Sequence, residues 1–149
     1  MLVADHPFGP FTDPIGQPLI GGQYDSIDPT MFVDTNDQAY LCWGNPRNWY
    51  VKLNQDMISY DTSIGNQGLV VQDMTVAAFG KRSKDDPQRL TTYEEGPWLY
   101  QRNALYYLIF AGGPISEHID YSTGPSPTGP WKYGGVVLPA QGRSFTDHP

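Results

Sequence analysis

Short stretches of alternating apolar and polar residues follow one another along the chain, and helical periodicity is nearly absent. This pattern predicts β-strands over residues 31–34, 39–43, 49–53, 98–101, 105–111, 118–122 and 131–138. Gly, Pro, Asn and Asp separate the predicted strands and are the residues that favour turns. Frequent turns between short strands rich in aromatic residues are typical of an all-β protein.

Two stretches of the sequence resemble each other, and each begins with an acid. The first runs from Asp28 to a tyrosine-containing strand at Tyr40, and the second runs from Glu95 to a similar strand at Tyr107 with the same spacing. A repeat that places a carboxylate at the same end of the same strand in two successive units directs both acids toward one site. Paired carboxylates are the groups that perform glycoside hydrolysis.

A second repeat marks the ends of these units. The motif Gly-Pro-aromatic occurs at residues 9–11 and again at 129–131, and each copy precedes a predicted closing hairpin. Units of about 60 residues with four short antiparallel strands are typical of β-propeller blades. We therefore predict an all-β fold of about two complete four-stranded blades with partial flanking blades. Residues 1–22 end the first blade, 23–80 and 81–140 form the second and third, and 141–149 start the fourth. A β-sandwich of about eight strands is the alternative, since its strand spacing is similar.

The composition excludes several classes of function. The 149 residues are sufficient for one domain with a hydrophobic core. A formal net charge of −7, with only nine Lys and Arg residues, argues against nucleic-acid binding, which needs basic patches. No apolar run has the length of a membrane span, and the first residues lack the features of a signal peptide, so the compartment stays open. Cys42 is the only cysteine, and we expect its thiol to fill the core.

Four segments resemble a known family: IDPTMFVD (27–34), YLCWGN (40–45), YEEGPWLY (93–100) and FTDHP (145–149). The family is glycoside hydrolase family 43, which comprises five-bladed propeller β-xylosidases and α-L-arabinofuranosidases. The resemblance covers essentially the whole chain. It implies an inverting enzyme that removes xylose or arabinofuranose units from plant hemicellulose, with a xylo- or arabino-oligosaccharide as substrate. It also favours an extracellular or periplasmic location.

The resemblance assigns roles to two acids. Glu95 matches the general acid of the family, and Asp28 matches the aspartate that modulates the pKa of this acid and orients it. Glu94 competes with Glu95 on sequence alone and could be a solvated strand-end residue. The general base of the family belongs to an Asp-Pro motif that would lie before Met1, and Asp5 and Asp13 do not match it. We therefore expect this chain alone to be inactive.

The resemblance also suggests residues for sugar and metal binding. His148 matches a channel histidine that ligates calcium in many family members, although a histidine is an unusual ligand for this hard cation. Trp43, Asn45 and Arg143 are the predicted substrate-binding residues. Arg143 is chosen because it precedes the strand of His148, and a plain surface role is the alternative for it. Trp43, like Trp49 and Trp98, could instead pack between blades. The run at residues 81–86 has mixed charge and indicates a solvated loop.

Two further hypotheses belong to other classes of function. The chain could be a non-catalytic carbohydrate-binding propeller segment. It could also be a half-propeller that associates with a second copy through its open blade edges. The sequence does not distinguish xylosidase from arabinofuranosidase activity.

Overall fold

The computed structural model describes residues 1–21, 25–83, 88–114 and 116–140, and these form an all-β protein with two four-stranded antiparallel sheets. The strands of the first sheet are β1 (Thr30–Val33), β2 (Ala39–Trp43), β3 (Trp49–Lys52) and β4 (Val70–Val71). Those of the second are β5 (Tyr93–Arg102), β6 (Leu105–Gly112), β7 (His118–Gly124) and β8 (Lys132–Leu138). Within each sheet the strands follow sequence order, which is the meander of a propeller blade. The predicted fold class is confirmed, whereas the blade boundaries stay predictions.

All seven predicted strands are present, but β5 begins at Tyr93, well before the predicted start at residue 98. Register shifts at Tyr93/Glu95 and at Glu95/Trp98 interrupt the alternation of side chains, so the sequence pattern conceals this part of the strand. The strand β4 was not predicted, because two residues are too few to show a period.

The helix α1 (Val76–Phe79) was also not predicted, because a single turn is too short for helical periodicity. Thr75 begins it by accepting a hydrogen bond from the backbone of Ala78, and Gly80, with φ of 73°, ends it. Among the described residues no helix has the length and apolarity needed to cross a membrane.

The main core lies between the two sheets. Phe79, Tyr93 and Phe110 form an aromatic group with ring centroids 5.3 to 5.5 Å apart. Cys42 of the first sheet packs into the same core and is 2% exposed, as predicted for a core-filling thiol. Burial raises the pKa of the Cys42 thiol to about 12. This shared core fixes the two sheets against each other, with β1 and β5 in contact.

Ser122 ties the second sheet to α1. Its side chain is fully buried and donates a hydrogen bond of 2.6 Å to the backbone oxygen of Ala78. Replacing Ser122 by Ala leaves that buried carbonyl oxygen unsatisfied, so we expect the free energy of unfolding to fall by about 1–3 kcal/mol. Chemical denaturation measures this loss, with Ser63→Ala as the matched control on an exposed loop. An equal, small loss in both variants would contradict a stabilising role for the Ser122 hydrogen bond.

Candidate active site

Asp28 lies two residues before β1, in the segment that leads the chain into the first sheet. Its φ of 52° is in the left-handed region, which Asp tolerates better than most residues. Pro29 follows and cannot extend a ladder with its nitrogen, so the strand starts only at Thr30. The half-buried side chain of Asp28 is thereby positioned at the end of the sheet where β2 ends and β3 begins.

Glu95 lies near the start of β5, between the two register shifts of that strand. Its backbone is opposite Ala111 of β6, and its side chain is partly exposed. Gly96, with φ of 61°, follows it and supplies the conformation that the irregular strand requires. Bulges of this kind change the direction of a side chain next to a functional site.

The backbone around Gly44 links the two acid-bearing segments. The hydroxyl of Tyr93 donates to the carbonyl oxygen of Gly44 at 2.8 Å, and the nitrogen of Gly44 donates to the carbonyl oxygen of Ile27 at 3.1 Å. Burial raises the pKa of Tyr93 well above its ordinary value, and negative charge on Cys42, Asp28 and Glu95 adds to this effect. The start of β5 and the segment before β1 therefore meet at Gly44, and the charges of Asp28 and Glu95 both act on one buried tyrosine.

Asn45 connects this link directly to Glu95. Its Nδ2 donates a hydrogen bond of 2.6 Å to Oε2 of Glu95. Its Oδ1 accepts a hydrogen bond of 3.1 Å from Nη2 of Arg89. Asn45 is 6% exposed, so both of its polar groups are used inside the protein. Sugar contact by Asn45 stays a prediction, and the observed partners are an acid and a guanidinium.

Glu94 is a buried ion-paired residue, so its interpretation as a solvated strand-end residue is wrong. Its Oε2 lies 2.5 Å from Nη1 of Arg82, and its Oε1 pairs with Nη1 of Arg89. The side chains of Arg82 and Glu94 are only 8% and 10% exposed. Two guanidinium groups occupy both carboxylate oxygens of Glu94, whereas the adjacent Glu95 has a partly exposed side chain.

The expectation of a solvated loop at residues 81–86 is likewise wrong for Arg82, and residues 84–86 lie outside the described part of the chain. Neither Arg82 nor Arg89 was predicted from the sequence to lie beside these acids. Their partner Glu94 lies in the following strand, and a run of mixed charge gives no sign of which member is buried. Arg89 also lines an open cavity of about 650 Å³ beside Pro46 and Gln72.

The three tryptophans predicted as packing or sugar-stacking residues have different environments. Trp43 is 5% exposed and belongs to a second apolar cluster, where its ring stacks on Trp49 at 6.5 Å. The indole nitrogen of Trp49 donates to Asp25 at 3.1 Å. Trp98 is 55% exposed on β5. Trp43 therefore packs in the core here, and its contact with a sugar stays a prediction.

Two predicted site residues, Arg143 and His148, lie outside the described residues. In the part of the chain that the structure describes, no group of three or more His, Cys, Asp or Glu side chains is placed to hold a metal ion.

A separate buried polar cluster surrounds Asp120, which is fully buried on β7. Its Oδ2 accepts hydrogen bonds from Thr92 at 2.7 Å and from Tyr133 at 3.1 Å, and Nε2 of His118 is 3.3 Å away. Its Oδ1 has no hydrogen-bond partner among the described residues. Burial raises the pKa of Asp120, although the contacts with Thr92, His118 and Tyr133 oppose this rise.

This raised pKa predicts how stability depends on pH. The unfolded chain releases the proton near the ordinary value of 3.8, whereas the folded protein retains it to higher pH. The contribution of Asp120 to stability is therefore present at low pH and is lost as pH rises through the folded-state pKa. Asp120→Asn cannot ionise, so its free energy of unfolding should rise relative to the original protein over this interval. Thermal melts from about pH 3 to pH 7 measure the difference, and a difference independent of pH would contradict the prediction.

The two four-stranded meanders define the class of protein, a β-propeller, and Asp28 and Glu95 are its candidate pair of acids. The chain belongs to the family of glycosyl hydrolases family 43, whose model matches residues 1–146. A β-xylosidase of Xylanibacter ruminicola is 31% identical over an alignment of 161 residues, gaps included. The alignment covers 93% of this chain and 48% of the relative. The chain spans from 22% to 49% of the length of the curated relatives that it matches.

Solved structures agree with this assignment. The α-L-arabinofuranosidase of Clostridium thermocellum ATCC 27405 is 26% identical with a TM-score of 0.70, over 96% of this chain and 46% of that one. A β-xylosidase/α-arabinofuranosidase from a compost microbial metagenome, in complex with xylotriose and in a calcium-free form, is 22% identical. Its TM-score is 0.68 over 91% of this chain and 47% of that one, a likeness of fold alone.

Proposed function

We propose that this chain is part of an inverting glycoside hydrolase that removes xylose or arabinofuranose units from plant hemicellulose. Glu95 is the general acid in this proposal, and Asp28 is the second acid of the pair, which orients it. The observation that supports the proposal is that the charges of both acids act on Tyr93, where the start of β5 and the segment before β1 meet at Gly44. Glu94 supports it indirectly, because its two arginine partners remove it from competition.

The general base is proposed to come from a preceding blade of a longer protein. Asp13 does not suit this role, because its carboxylate accepts hydrogen bonds from the backbone nitrogens of Ile15 and Gly16 in a local turn. In an inverting enzyme the base activates water on the face of the sugar opposite the acid. The chain spans less than half the length of the matched curated relatives, which leaves room for that blade.

The proposed substrate is a xylo- or arabino-oligosaccharide. The relatives include a β-xylosidase and an α-L-arabinofuranosidase, so both sugars stay within the proposal. Calcium at His148 is a further proposal that rests on the family resemblance, and no step of the reaction is assigned to it.

The calcium proposal has a direct test in the full-length enzyme, by which we mean the longest natural protein that contains these 149 residues. Calcium should raise its melting temperature, because an ion that binds only the folded state stabilises it by mass action. His148→Ala should abolish that rise, whereas His6→Ala, at an exposed position, should preserve it. Equal melting of the original protein in calcium and in chelator would refute the proposal.

A truncation experiment tests the proposal that the general acid lies in this chain and the general base lies in another part of the full-length enzyme. Hydrolysis of aryl β-xyloside and aryl α-arabinofuranoside should be negligible for the 149 residues and clear for the full-length enzyme. The physical reason is that Glu95 donates a proton but does not activate water from the opposite face. Turnover by the 149 residues that rises with the square of protein concentration would instead support a self-associating half-propeller. Turnover linear in concentration would place the base within this chain.

A further inference from the structure

We infer that Asn45 and Arg89 are positioning residues that determine which oxygen of Glu95 carries the transferable proton. The structure assigns Oε1 as that oxygen and Oε2 as the hydrogen-bond acceptor. This inference rests on the proposed role of Glu95 as general acid, and it adds a role for residues outside the acid pair.

The orientation of the Asn45 amide follows from its partner Arg89. A guanidinium has only donors, so the atom that Nη2 of Arg89 approaches at 3.1 Å must be the acceptor Oδ1. The amide nitrogen then faces Oε2 of Glu95 at 2.6 Å. A flipped amide would place donor against donor at Arg89, so the network itself fixes the orientation.

Arg89 is held in place by the buried ion pairs behind it. Its Nη1 pairs with Oε1 of Glu94, whose other oxygen lies 2.5 Å from Arg82. The space around this group is filled, since a Cβ added at Gly113 would lie 2.4 Å from Oε2 of Glu94 and 2.9 Å from Nη1 of Arg82. If either arginine moved away from the buried carboxylate, a buried charge would lose a partner, and this cost holds the cluster in its arrangement.

The position of the proton follows from the amide donor. A protonated carboxyl group has one O–H donor and one carbonyl acceptor. A proton on Oε2 would point at the N–H of Asn45, whereas a proton on Oε1 leaves Oε2 free to accept from it. The favoured form of Glu95 therefore carries its proton on Oε1.

Proton transfer then runs from Oε1 of Glu95 to the leaving group. The O–H bond at Oε1 breaks, its electron pair stays on Glu95, and the proton goes to the glycosidic oxygen. The bond between that oxygen and the anomeric carbon breaks with its electron pair on the oxygen, while water attacks the carbon and gives its proton to the base. The hydrogen bond from Asn45 to Oε2 remains in the resulting carboxylate, so the donor supports both states of the acid.

The test compares two substrates in the full-length enzyme, an unactivated xylo-oligosaccharide and a dinitrophenyl β-xyloside whose leaving group needs little protonation. Asn45→Ala should lower kcat on the oligosaccharide by about 10- to 100-fold, with KM nearly unchanged. Without the hydrogen bond from Asn45, the carboxyl group of Glu95 is no longer held in the position for proton transfer. On the dinitrophenyl glycoside kcat should stay within about threefold. Arg89→Met, which leaves Asn45 in place, should show the same selectivity to a smaller extent, and Arg89→Lys should recover most of it.

Arg102→Met is the matched control, because Arg102 is exposed at the far end of β5. A rise in KM alone, or equal losses on both substrates, would overturn the inference and leave Asn45 as a sugar contact or a folding residue. The proposed function fails separately, if Glu95→Ala itself shows equal losses on the two substrates. A selective Glu95→Ala with unselective Asn45 and Arg89 variants would refute the positioning role alone.

Discussion

Glu95→Ala is expected to lower kcat of the full-length enzyme on xylo- or arabino-oligosaccharides by about 10²- to 10⁴-fold, the usual contribution of a general acid. The leaving oxygen of an oligosaccharide departs as an alkoxide unless it is protonated, so loss of the donor acts on the bond-breaking step. Steady-state kinetics on purified oligosaccharides measures the effect.

The folding control for this variant is its melting temperature. Glu95 is only partly buried, in contrast to its neighbour, so its truncation should leave the core intact. A loss of less than about tenfold, with a normal melting temperature, would contradict the role of Glu95 as the acid.

Glu94→Ala should be the most destabilising single change in the site. Removal of the carboxylate leaves the guanidinium of Arg82 buried without its partner, and breaking a buried ion pair in this way costs about 3–5 kcal/mol. Chemical denaturation measures the free energy of unfolding. Asp5→Ala is the control, because Asp5 is exposed near the start of the chain.

The double variant Arg82→Met/Glu94→Ala separates the pair from the rest of the core. It should recover part of the lost stability, because the variant no longer contains the charge of Arg82 that Glu94→Ala alone leaves buried and unpaired. A cost below about 1 kcal/mol for Glu94→Ala would show that water replaces the carboxylate and that the cluster does not hold Arg89.

Much of the fold follows from the sequence because alternation and turn residues report local structure. The predicted range 39–43 coincides with β2, and the other predicted strands overlap observed ones. The start of β5 did not follow from the pattern, because two bulges break its period around Glu95. The register shifts that interrupt the alternation in β5 lie on both sides of Glu95, so the sequence pattern is least informative at the candidate site.

The candidate site was predictable only in part. Asp28 and Glu95 could be selected because each opens a copy of the same repeat, and in the structure both contribute to the raised pKa of Tyr93. The network of Arg82, Glu94 and Arg89 could not be selected, since it depends on contacts across a loop and on burial. Sequence periodicity reports neither contacts across a loop nor burial. The hydrogen bond from Asn45 to Glu95 was also not predictable, because Glu95 belongs to the other sheet.

A leaving-group series tests the central claim most directly. Aryl β-xylosides whose phenols span a wide range of pKa are hydrolysed by the original full-length enzyme and by Glu95→Ala. With Glu95 as the acid, log kcat should depend only weakly on leaving-group pKa in the original enzyme and fall steeply as this pKa rises in the variant. Parallel lines, displaced by the same factor at every leaving group, would contradict the assignment of Glu95 as general acid.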